Sequence, residues 1–270
     1  MIVSGGVGGL YLGRVLSGFT TFLILGLSWV PITAVFLTGL RRAVVDEPFE
    51  GATRRYWKDH WRYAKWVLLT ALVFQAMNQG YLWIIAGLLS AKDVAEFRAV
   101  QLVSAPIAQF FISLSVLLLP VLAGHFAAGR ESEFLKTVRQ MQVGILATGV
   151  IVLSGVALLG AHVIRLLYGG TYDNAAFLLV PLSCVSIVAA LGHVFNDAMK
   201  ALEEPRAVFV AYCGAAIATF LVGIPLVGRF GLSGAAAGAL LSATCFAAVL
   251  WRQFSNTTVS KFETMAASHD

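Results

Sequence analysis

Seven uncharged apolar stretches, at residues 15–40, 66–89, 99–122, 143–164, 175–195, 207–227 and 232–251, run through this 270-residue chain without a single Asp, Glu, Lys or Arg. Each reaches the roughly 20 residues that carry a helix across a hydrocarbon core, at about 1.5 Å of rise per residue. In lipid a backbone amide has no water to bond, so a spanning segment must be a helix or part of a closed barrel. The period-two alternation of a barrel strand is missing from these stretches. Composition agrees, since 12% of the residues are charged against about 25% in a soluble domain. The expected fold class is therefore all-α: a polytopic membrane protein of about seven transmembrane helices.

The basic residues orient it. With seven spans the flanks alternate between two sides, and 14 of the 19 lysines and arginines fall on one of them, including Arg41, Arg42, Arg130, Lys200, Arg206 and Lys261. The positive-inside rule makes that side cytoplasmic. The N-terminus is then expected outside and the C-terminus in the cytoplasm, in an inner (cytoplasmic) membrane. The net charge of +5 is spread between apolar runs rather than gathered on one soluble face, so nucleic acid is not an expected partner. Residues 1–13 lack the basic start of a cleavable signal peptide. Residues 41–65 form the longest connection and mix both charge signs with Tyr56, Trp57, Trp61 and Tyr63. The second half of this linker reads either as an amphipathic helix at headgroup level or as a solvated loop. The expected organisation is a first helix within 1–40, the linker 41–65, a six-helix body at 66–252 and a cytoplasmic tail at 253–270.

Enzyme chemistry finds little support. The five histidines are dispersed without an HExxH pair, and no P-loop or G-x-S-x-G elbow is present. Cys184, Cys213 and Cys245 lie inside apolar runs without metal-ligand spacing, as small hydrophobes do. No catalytic residue, metal or cofactor is expected. Asp173, Asp197, Glu203 and Glu204 show no pairing in sequence that marks a site. The spans themselves hold no carboxylate, which counts against an ion-coupled drug antiporter.

Transport is a more natural use of many helices with polar residues on selected faces. Gln75, Asn78 and Gln79 stand at i, i+3 and i+4 and share a helix face. Gln101 and Gln109, with Ser104, populate one side of the following span. Amides facing lipid lose hydrogen bonds at a cost of about 1–3 kcal/mol each, so they are expected either along a polar route or as interhelical glue. Arg98 and Arg165 border the other mouths of their spans, where they either reach lipid phosphates or meet an anionic substrate. Pro106, Pro120, Pro181 and Pro225 interrupt helical bonding and mark either static kinks or gating bends. The small-residue run 234–238 (GAAAG) reads as a close-packing face.

Taken in order, residues 66–252 resemble the C-terminal lobe of the polysaccharide-biosynthesis (O-antigen, Wzx-type) flippases. These belong to the multidrug/oligosaccharidyl-lipid/polysaccharide exporter superfamily. The resemblance rests on the span from Gln101 to Ala123 with its terminal proline, followed by Gly129-Arg130, and on residues 166–176 (LLYGGTYDNAA). It rests also on residues 231–236 (GLSGAA) and on the turn 200–206 (KALEEPR), where Glu203-Glu204 replace the glycine usual in that family. The resemblance implies a flippase that moves an undecaprenyl-diphosphate-linked oligosaccharide between leaflets by alternating access. Two six-helix lobes form such a transporter. One lobe and one preceding helix are present here, so a missing first lobe or a second copy is an expected partner, alongside membrane lipids. A multidrug/cation antiporter of the same superfamily and a non-transporting scaffold or remnant are the alternatives.

Overall fold

The computed structural model describes residues 26–27, 29–31, 33–38 and 52–267. The chain divides into two compact units, residues 1–60 and 61–270. In the first unit the short apolar helix Trp29–Thr38 falls within the first expected span, most of which lies outside the described residues. Arg14, Arg41 and Arg42 also lie outside them.

The helices that follow are α1 (Ala52–Leu88), α2 (Ala91–Ala127), α3 (Glu131–Tyr168), α4 (Leu179–Ala201), α5 (Pro205–Leu221) and α6 (Gly223–Ala267). A 3-10 turn, Asp173–Leu178, precedes α4. No strand occurs among the described residues. Five helical segments are long and apolar enough to cross a membrane: Ala64–Leu88, Ala91–Ala127, Glu131–Tyr168, Asp173–Ala201 and Gly223–Glu263. The chain is an all-α, multi-pass membrane protein. Among the described residues two further apolar helices, Trp29–Thr38 and Pro205–Leu221, are shorter, so length does not establish a count of seven.

Proline chemistry accounts for the shortened sixth span. Pro225 has no N–H to donate to the Leu221 carbonyl four residues back, which weakens a helix drawn continuously through 207–227 and favours a break there. The chain instead ends α5 at Leu221 and restarts at Gly223, which puts Pro225 in a first turn. Pro181 likewise sits in the first turn of α4, where no intrahelical bond is lost. Of the four prolines named above, Pro106 and Pro120 lie inside a helix, α2. A second break interrupts α6 at Gly231, whose φ of 57° and ψ of −134° are foreign to a helix and open to glycine. The linker's second half, 54–65, is helical as part of α1. The expected tail continues α6 as helix, with Phe254, Thr258 and Phe262 buried.

Helix α4 is central: it packs against α2, α3, α5 and α6. Its burial pattern follows its composition. Ala190, Gly192, Val194 and Ala198 are buried and let neighbouring backbones approach, as helix association in lipid requires. A Cβ at Gly192 would lie 2.7 Å from the Phe246 ring and 3.2 Å from the Ala247 Cα, so α4 and α6 meet there at glycine distance. Around α4 gather two cores. One contains Phe111, Phe134, Phe246 and Phe254, and the other contains Tyr81, Phe97, Ile164 and Leu178. Leu117, Ile151, Leu158 and Leu166 point outward and exposed, as side chains facing lipid do.

The turns are built by hydrogen bonds that cap the helices. After α2, Gly129 (φ 65°) lets the Arg130 N–H reach the His125 carbonyl at 3.0 Å. The same motif closes α4, where the Glu204 N–H reaches the Met199 carbonyl at 2.9 Å. There the left-handed position is filled by Glu203, at φ 58°. The turn therefore has the conformation that a glycine adopts without strain.

Three stability outcomes follow. Gly192→Ala should lower stability by about 1–3 kcal/mol through overpacking, whereas Gly144→Ala, with open space at its Cβ, should be neutral or raise it by about 0.5–1 kcal/mol. Thermal unfolding in detergent followed by circular dichroism reads both. Glu203→Gly should raise the same midpoint, with a gain of about 1 kcal/mol from relief of the left-handed strain.

Candidate functional site

One cavity of about 490 Å³ opens among α1, α2 and α4. Asn78 and Gln79 face it from α1, Arg98, Gln101, Ser104 and Gln109 from α2, and Ser186 and His193 from α4. The α2 set follows helical periodicity, since residues 98, 101, 105 and 109 return to one face every three or four positions. Within it the Arg98 guanidinium donates to the Gln101 side-chain carbonyl at 3.1 Å, which orients the amide. The Ser104 hydroxyl donates to the Gln101 backbone carbonyl at 3.0 Å.

The structure thus brings together five of the seven residues that the sequence singles out: Asn78, Gln79, Arg98, Gln101 and Gln109. Gln75 is exposed and does not line the cavity. Arg165 stands apart at the end of α3, exposed beside Asp173 at 3.9 Å, where it borders a separate recess with His162. An ion pair so open to solvent contributes little.

A second cavity, of about 540 Å³, adjoins the first; Phe74, Ile112 and His193 line both. Its polar wall is built by the last turns of α4. There Asp197 is 4% exposed and Asn196 3%. Asp197 Oδ1 accepts from Lys200 Nζ at 3.2 Å and from Asn196 Nδ2 at 3.3 Å. Asp197 Oδ2 and Asn196 Oδ1 are buried without a hydrogen-bond partner.

This cluster corrects one expectation. Asp197 lies two residues beyond the uncharged stretch 175–195, but the helix carries it inside the apolar segment Asp173–Ala201. A buried carboxylate therefore does belong to a candidate span. Asp173, Asp197 and Glu204 each lie beside a basic side chain, Arg165, Lys200 and, at 2.7 Å, Lys261. Spacing held a usable signal, because His193, Asp197 and Lys200 recur at i, i+4 and i+7 on one helix face.

Other polar groups serve packing. Tyr81, Thr219 and Ser242 join α1, α5 and α6 through buried hydroxyl contacts of 3.0 to 3.1 Å. Gln142 on α3 donates to the Leu191 carbonyl on α4 at 3.0 Å. Gly238 lies against Tyr81, so the small-residue run is a packing face. Among the described residues no group of three or more His, Cys, Asp or Glu side chains is placed to hold a metal ion.

No protein-family model, curated protein or solved structure matches this chain.

The cavity assignment can be read by thiol labelling. In a background with Cys184, Cys213 and Cys245 replaced by alanine, cysteines at Asn78, Gln101 and Gln109 should react with a charged, membrane-impermeant methanethiosulfonate. A cysteine at Leu158 should react at least about tenfold more slowly, because a thiol in hydrocarbon forms little thiolate. Equal rates at all four positions would rule out a water-accessible cavity.

Proposed function

We propose that this chain forms a transporter lobe that carries a lipid-linked oligosaccharide across the cytoplasmic membrane. The observation that supports this most is the convergence of Asn78, Gln79, Arg98, Gln101 and Gln109 on one cavity of an otherwise apolar helical body. Amides supply donors and acceptors without a fixed charge, and so suit sugar hydroxyls. Arg98 adds one permanent cation at the cavity wall, suited to a phosphate. The alternating-access motion, the undecaprenyl-diphosphate carrier and an N-terminus outside with a C-terminus inside follow from the resemblance and from the charge distribution. A first lobe or a second copy would complete the route.

A cation antiporter of the same architecture is the second reading. It is favoured by buried Asp197, since intramembrane carboxylates commonly serve ion-coupled transport.

Deleting the gene should strand lipid-linked repeat units on the cytoplasmic leaflet and reduce surface polysaccharide. Gln101→Ala and Asn78→Ala should each slow complementation or flipping about fivefold, the effect of losing one hydrogen bond of about 1 kcal/mol. Unchanged surface polysaccharide together with altered resistance to cationic dyes would favour the antiporter and sink the first reading.

A further inference from the structure

We propose that Lys65, Trp66 and Arg206, at the junction of α1 and α5, form a binding site for the phosphate of an anionic membrane phospholipid. The site lies outside the amide-lined cavity and is independent of the transport reading.

The junction is built where apolar segments begin. The membrane-length segment of α1 starts at Ala64, so Lys65 and Trp66 fall in its first turn, the depth at which tryptophan and lysine meet lipid headgroups. Helix α5 starts at Pro205, which puts Arg206 in a first turn as well. The Trp66 ring packs on Phe209 of α5, with centroids 5.4 Å apart, and so holds these two starts together. Two cations gather on that ring. Lys65 Nζ lies 5.6 Å from its centroid, and the Arg206 guanidinium carbon lies 5.8 Å from it.

Their charges are unmatched. Lys200 has Asp197 at 3.2 Å and Lys261 has Glu204 at 2.7 Å. Among the described residues, by contrast, Lys65 and Arg206 have no carboxylate in ion-pair range. Both side chains are exposed, and their like charges beside one ring are relieved by an anion that both can reach. A phosphate suits the pair, because a guanidinium donates to it through two N–H groups and an ammonium meets it as a point charge.

Depth and surroundings select a lipid over a soluble phosphate. Val67 and Pro205, the chain neighbours of Trp66 and Arg206, line the second cavity. There Val67, Ala71, Phe74 and Val208 present an apolar wall, on which an acyl chain can lie while its phosphate stays with the two cations. Charge selects an anionic headgroup over a zwitterionic one, since the choline of phosphatidylcholine brings a further cation to a site that already holds two.

The test uses the full chain in neutral detergent. Dioleoyl phosphatidylglycerol and dioleoyl phosphatidylcholine are added in equal amounts, and bound lipid is counted by native mass spectrometry. The wild type should prefer phosphatidylglycerol about 25-fold. Lys65→Gln and Arg206→Gln should each cut that preference about fivefold, the worth of one cation beside an anionic lipid, and the double variant should show none. Lys136→Gln/Arg252→Gln removes two other exposed cations and should leave the preference intact. Arg206→Lys, which keeps the charge and loses the fork, should retain an intermediate preference even where Arg206→Gln disturbs the start of α5. Millimolar inorganic phosphate, against chloride of equal ionic strength, should leave the lipid in place. Equal retention of the two lipids by the wild type would overturn the site. So would equal loss in the two double variants, which would make the preference one of overall charge. Displacement of phosphatidylglycerol by inorganic phosphate would make it a soluble-anion site and overturn the lipid assignment.

Discussion

The close approach of α4 to its neighbours is the contact on which the rest of the body depends. Between helices in lipid there is no hydrophobic gain to be made, because hydrocarbon is as apolar as leucine. Association must come from close packing and interhelical hydrogen bonds. Small residues make the first possible: Gly192 admits the Phe246 ring, Gly149 the Ile187 side chain and Gly160 that of Leu179. Hydroxyls and amides supply the second, through Tyr81, Thr219 and Ser242 and through Gln142. Both devices place α4 in the middle, with the two cores gathered around it.

That position governs the polar chemistry. Residues on a central helix that face a gap between neighbours are shielded from lipid without being packed solid. His193, Asn196 and Asp197 occupy such places. Asp197 is buried while its partner Lys200 is exposed, so the pair is open to solvent on one side and contributes little to stability. One carboxylate oxygen of Asp197 is buried without a hydrogen-bond partner, an unfavourable arrangement in an apolar segment. Across the gap, α1 and α2 contribute amides and one arginine, so the two adjoining cavities differ in chemistry: one is rich in amides with a cation, the other is apolar with a carboxylate.

Much of the candidate site was legible before any fold was known, and the misses have physical causes. Asn78, Gln79, Gln101 and Gln109 stand out because an amide in an apolar run must face something polar. Gln75 shares their spacing, yet its neighbour Phe74, rather than Gln75, faces the gap. Helical spacing defines a face and leaves its neighbours undefined. Arg98 and Arg165 look equivalent at the ends of their spans. Tertiary structure puts the first at the amide-lined cavity and the second at a separate recess beside Asp173. Asp197 falls outside the uncharged stretch 175–195 because that window ends before the first charged residue, while the helix itself runs on to Ala201.

Sequence alone determined that the chain is helical and spans a membrane more than once, because apolar length and backbone hydrogen bonding leave few alternatives in hydrocarbon. It also marked the breaks, in Pro225 and Gly231, although reading them as the ends of helices required the observed restart at Gly223 and the positive φ at Gly231. Only tertiary structure decided which polar residues meet, which helix is central, and that the last helix continues past the expected span 232–251 with Phe254 and Phe262 buried. The physical reason is the same in each case. Lipid tolerates any apolar surface equally, so hydropathy identifies what is in the membrane, whereas close packing between particular small residues selects who touches whom.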